Sequence, residues 1–232
     1  MARLNRLVVA GLAHHVSHRA VAGGCLFVDA ADRELFLQLL RRCSSEHGVA
    51  VHAYVLLEHE VQLLLTPVIA EDLGRMMQAL SRFYVPAFNR RHGRAGALWQ
   101  GRFRSAPVGG GEPLLTCVRY LEQAPARAGW GGAVEEYAWS SAAHHVGLRV
   151  DSLLTRLPAD SDYWRLGNTP FERDAAYRAL LALPLTPSQA SVVEASTLKG
   201  WALGSGEFLA RVASTTGRRA TVNARGRPKR AL

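Results

Sequence analysis

Glu60 and Gln62 lie in the run YVLLEHEVQLLLTP, residues 54–67, where they alternate with Val61 and Leu63. The end of this run reads as an apolar strand, and successive side chains of a strand point to opposite faces. Glu60 and Gln62 therefore project together from one face, with apolar neighbours behind them. A carboxylate and an amide oxygen so placed make half of a site for a hard cation. A nucleophile would complete it, and Tyr120 in CVRYLEQAPARAG is the candidate. A phenol of pKa ~10 attacks poorly at neutral pH and needs a cation to polarise its target. Taken by itself, Tyr120 reads as a half-buried helix tyrosine with a packing role.

A sheet and a helix must hold these groups together, and the chain has signals for both. HHVSHRAV, residues 14–21, reads as a first strand. Asp29 or Asp32 can cap a helix to about His47, with Leu35, Leu39 and Leu40 at helical spacing. Val49 to Leu57 and Val61 to Thr66 make a hairpin turning at Glu58-His59. Leu73 to Asn89 reads as a second helix, which Pro86 should kink or end. Ala97 to Val108 is strand-like. Gly109-Gly110-Gly111 reads as a flexible break before a helix that starts at Glu112-Pro113 and carries Tyr120. Strand, helix, hairpin, helix, strand is the order of an α+β, ferredoxin-like antiparallel sheet with helices on one face, here expected over residues 1–150. Residues 151–212 read as a C-terminal helical extension, with helices in FERDAAYRALLALPL and from Trp201 to Val212. Residues 213–232 read as a basic flexible tail.

The 232 residues include 28 Lys+Arg against 19 Asp+Glu, a net charge of +9, and 48% are hydrophobic. That supports a globular fold with a polyanionic partner, nucleic acid before membrane, since no basic amphipathic helix stands out. The N-terminal apolar run is too short for a signal peptide, and no segment reaches membrane-spanning length. Cys25, Cys43 and Cys117 are odd in number and lack CxxC spacing, which suggests reduced thiols in a cytoplasmic protein.

Arginine is clustered. Arg82, Arg90, Arg91, Arg94, Arg102 and Arg104 fall in one stretch without an acid, interleaved with Trp99 and Phe103. Arg neutralises phosphate, and aromatic rings can stack on unpaired bases. On a strand Trp99 and Phe103 share one face and Arg102 and Arg104 the other. The aromatics are therefore assigned mainly to packing and the arginines to nucleic acid. The tail adds Arg225, Arg227, Lys229 and Arg230. RGRP at 225–228 reads either as a minor-groove element or as a nonspecific phosphate-binding tail.

HAYVLL at 52–57, FNRRHGRAGALWQGRFRS at 88–105, VRYLEQAPARAG at 118–129 and YAWSSAAHHVG at 137–147 follow one another in an order that is highly specific. With GWALGSGEFLARV at 200–212 and GRPKR at 226–230, the chain resembles a REP-associated tyrosine transposase of the single-tyrosine HUH nuclease superfamily over nearly its whole length. The resemblance implies the ferredoxin-like fold, Tyr120 as attacking group on a DNA phosphodiester through a covalent 5′-phosphotyrosine, and a Mg²⁺ or Mn²⁺ ion. It also implies that two histidines should hold that ion, and both positions differ: Glu60 replaces the first and Gln62 the second. A further polar residue, typically Asn, is expected where Ala124 stands, and Ala cannot ligate; Gln123 or Glu122 is the local substitute. His15 matches a strand histidine of the family and has a structural place.

Three readings follow. The first is a DNA-binding protein that recognises hairpin or single-stranded repeats, with cleavage weakened or lost. The second is a working transposase using Glu60 and Gln62. The third is an RNA-binding regulator. A cytoplasmic, nucleoid-associated monomer is expected in preference to a homodimer.

Overall fold

The computed structural model describes residues 6–221. Four strands, β1 (Ala13–Arg19), β2 (Val49–Leu56), β3 (Glu60–Pro67) and β4 (Arg104–Val108), form one sheet in the order β2-β3-β1-β4, every pair antiparallel. With α1 (Ala30–Glu46) after β1 and α2 (Ala70–Arg91) after β3, this is the expected ferredoxin-like α+β sheet. Asp29 caps α1 by accepting from the Asp32 amide.

The two-residue period of the strands divides the core. Val16, Tyr54, Leu56, Val61, Leu63 and Leu65 face α1 and α2, where Phe27, Phe36 and Tyr84 pack edge to face and Phe88 lies tilted against Tyr84. Ala13, Ala53, Val55 and Leu64 belong to a second cluster, with α3 (Glu112–Glu122) and the C-terminal helices. Thus α1 and α2 cover one face and α3 the other. The short α4 (Ala124–Arg127) and α5 (Ala142–His145) follow, then α6 (Pro170–Ala182), α7 (Pro187–Lys199) and α8 (Gly206–Thr216). Tyr177, Leu181 and Val193 share a cluster with Tyr120 and Leu121, and Leu203 bridges to Val108 beside β4.

Some local expectations change. Pro86 does not end α2, which runs on to Arg91, because Tyr84 and Phe88 on either side are anchored in the core. The strand expected from Ala97 begins only at Arg104, since Gly96 and Gly101 turn the chain at φ of 89° and 69°. The triple glycine is a packing site. A Cβ on Gly110 would collide with the Asp160 side chain, and Gly111 takes φ 72° at the N-cap of α3. The helix expected from Trp201 begins at Gly206, behind the cap Ser205, and ends at Thr216. Arg225, Arg227, Lys229 and Arg230, with RGRP, lie outside the described residues.

Candidate functional site

The register of β1 on β3 builds the site. Ser17 pairs with Gln62 and Arg19 with Glu60. Their side chains share the face that carries α3. Ser17 Oγ donates to Glu60 Oε1 at 2.6 Å, and Arg19 Nε lies 3.2 Å from the same oxygen. Arg19 also reaches Glu194 of α7 at 3.3 Å. Tyr120, 7% exposed, comes down onto this face from α3, and its ring meets His15 edge to face with centroids 5.7 Å apart. His15, Glu60, Gln62, Tyr120, Glu194 and Thr197 border one small pocket, with about 10 Å³ of free space. That is room for about one water molecule.

His15 fixes the local hydrogen-bond sense. Thr197 Oγ1 donates to the Val193 carbonyl, so it accepts from His15 Nδ1 at 2.7 Å. Burial pushes the His15 imidazole down to about 4, so the ring is neutral and its Nε2 is an acceptor. That nitrogen lies 3.3 Å from Gln62 Oε1, and it meets a donor there when the amide is turned with its NH₂ toward the ring.

Arg127 was not singled out by sequence reasoning. Its guanidinium stacks 4.0 Å from the Tyr120 ring centroid and donates to the Tyr120 carbonyl. Burial raises the Tyr120 phenol above its ordinary range, opposed by the Arg127 charge and reinforced by Glu194 and Glu60. The phenol is therefore protonated at neutral pH. The whole of α7 was also missed, although Thr186 and Gln189 form a capping box and Gly200 adopts a left-handed C-cap.

The residues present do not fit a divalent cation as arranged. The Glu60 oxygen is occupied by a guanidinium and a hydroxyl, and the Gln62 amide faces His15. Gln123, the further ligand suggested by the sequence, donates its amide to Leu181 O and Leu183 O at 2.7 and 2.8 Å and accepts from the Leu185 amide. Those bonds hold the α6–α7 connection and turn it out of the tyrosine pocket. Ala124 is buried. Among the described residues no group of three or more His, Cys, Asp or Glu is disposed to hold a metal ion.

The arginines divide. Arg102 and Arg104 are exposed and share one cleft. Arg90 is exposed on α2, and Arg94 lies over Phe88 at 5.6 Å. Arg91 is committed to Asp29, at 2.6 Å, and to the buried Asp32, so it clamps the α2 end to the α1 start. Among the described residues no helix is long and apolar enough to cross a membrane.

No family model matches the chain, and no curated protein matches it. Among solved structures it is similar to that of a REP-associated tyrosine transposase bound to a REP hairpin, at 14% identity and a TM-score of 0.54, covering 68% of this chain and 100% of that one. A second structure, of a candidate transposase from Deinococcus radiodurans R1, shares 20% identity over 55% of this chain and 93% of the other at a TM-score of 0.37. The four-stranded sheet and its packed helices thus share the fold of the hairpin-bound transposase structure.

Proposed function

We propose that this chain is a DNA-binding protein of transposase descent that recognises single-stranded or hairpin DNA and cleaves it slowly or not at all. The observation that carries the reading is the tyrosine pocket. Tyr120 stands over Glu60 and Gln62 as in a transposase-like site, yet Arg19 occupies the carboxylate and α7 closes the space. The fold shared with a hairpin-bound transposase structure supports DNA as the partner. A net charge of +9 supports it independently.

The chemistry points the same way. A buried, protonated phenol is a weak nucleophile. Arg127 favours its ionisation, but Glu194 and Glu60 oppose it. Affinity for DNA rests instead on exposed cations, so binding and cleavage are separable. A cytoplasmic, monomeric protein fits this reading.

The test is incubation of the full chain with a panel of single-stranded hairpins and Mg²⁺ or Mn²⁺, read for bound complex and for a covalent adduct at Tyr120. Binding with little or no adduct is expected. Glu60→His with Gln62→His and Ala124→Asn should raise adduct formation while affinity stays nearly constant. Efficient adduct formation by the unaltered chain, lost in Tyr120→Phe, would establish a working transposase instead.

A further inference from the structure

A cleft of about 630 Å³ lies beside the tyrosine pocket, and none of the described residues on its wall is acidic. Arg6, Arg102, Arg104, Lys199, Trp201 and Arg218 line it. They come from four separate parts of the chain, so the cleft exists only because the C-terminal helices dock beside β4. Arg6 stacks 3.6 Å from the Phe103 ring centroid and donates to its carbonyl. Burial, then repulsion from Arg102 and Arg104, pushes the Arg6 guanidinium down to about 10. Cations gathered this way repel one another, and a bound anion would relieve that cost.

Two further features fit a particular anion. The Ser105 hydroxyl is buried on the cleft wall, 4% exposed, with no hydrogen-bond partner among the described residues. Trp201 is half-buried there and belongs to none of the apolar core clusters. A simple phosphate needs neither an aromatic wall nor so much room, whereas a nucleotide uses both. Thr197 borders this cleft and the tyrosine pocket alike, so what fills one lies next to the other.

We propose that the cleft takes one unpaired nucleotide of a strand, with its phosphate met by Arg102, Arg104 and Lys199 and its base against Trp201. The assignment rests on the nucleic-acid reading above and adds to it where one base is held. The binding energy then depends on a base at a single position of the strand, as well as on total charge.

The test uses the full chain and fluorescently labelled single-stranded DNA in which one abasic site is stepped along the oligonucleotide. Affinity should fall about tenfold at one position and little elsewhere. Trp201→Ala should lower affinity for the intact strand by a similar factor and erase the dependence on position. Trp201→Phe should restore most of it. Lys199→Glu, an exposed change that leaves the core intact, should weaken binding throughout and lower the salt slope. Arg90→Ala should leave the position dependence unchanged. DNA binding that is indifferent to Trp201→Ala and Lys199→Glu would overturn the cleft and uphold the DNA reading. Cleft-dependent binding of the matching RNA, with none of DNA, would uphold the cleft and overturn the DNA reading. No binding to either strand would overturn both.

Discussion

At the scale of the residue, Tyr120 is governed by neighbours from four elements. Burial and the carboxylates of Glu60 and Glu194 favour the neutral phenol, while Arg127 and Arg19 favour the phenolate. Removing a cation stacked on the ring withdraws support from the charged form. Arg127→Ala should therefore shift Tyr120 ionisation to higher pH, measured as the difference in ultraviolet titration between this variant with and without Tyr120→Phe. An unchanged or lower midpoint would show that Arg127 does not act on the hydroxyl. Glu122 follows two residues after Tyr120 on α3 and is its structural counterpart. It is fully buried and accepts from Ser141 and His145 at 2.6 Å through one oxygen and from Tyr177 at 2.6 Å through the other. Glu122→Ala would strand three buried donors, at a cost of about 3 kcal/mol or more in urea unfolding.

Among the elements, β1 carries an unusual load. His14, His15 and His18 are all buried on it, and burial pushes each imidazole down from 6.5 to about 4. The folded state keeps these rings neutral while the unfolded chain protonates them near pH 6.5. Below that pH the unfolded state binds more protons, so stability falls as pH drops, until about pH 4 is passed. Each ring contributes up to about 3 kcal/mol to that loss. Thermal melts from pH 7 to 4 should show a steep fall, and His18→Phe should flatten it. A melting temperature constant down to pH 4.5 would mean the rings are not held neutral. The other notable element is α7. Its capping box and left-handed glycine stop are local, but the side it presents places Glu194 and Thr197 over the tyrosine pocket.

For the molecule as a whole, the structure separates exposed cations from cations committed to ion pairs. Arg102 and Arg104 are exposed in a cleft with no acid among its described residues, so Arg102→Ala with Arg104→Ala should weaken binding of single-stranded DNA. The log–log salt slope should fall by roughly 0.7 for each phosphate that is no longer neutralised. An unchanged slope would show that these side chains do not meet phosphate. Arg91, committed to Asp29 and Asp32, should behave oppositely, with Arg91→Ala costing stability and leaving the slope nearly unaltered.

The element order, the strand face shared by Glu60 and Gln62, and the helix under Tyr120 were legible in the sequence. They depend on periods of two and of about four residues, and on caps that neighbours a few positions away supply. The missed helix α7 had the same kind of signal in Thr186, Gln189 and Gly200. What only the tertiary structure decided is long-range. The pairing of Arg19 with Glu60 depends on the register between strands some forty residues apart, and a one-residue slip would send Arg19 to the other face. Glu194 and Thr197 reach Tyr120 only because α7 packs on the sheet. The basic cleft, likewise, assembles from residues near both ends of the chain. No local pattern encodes such meetings, because they are selected by the packing of whole elements against one another. The sequence thus set Glu60, Gln62 and Tyr120 on their elements, and the tertiary structure decided that an arginine, not an open space, faces the Glu60 carboxylate.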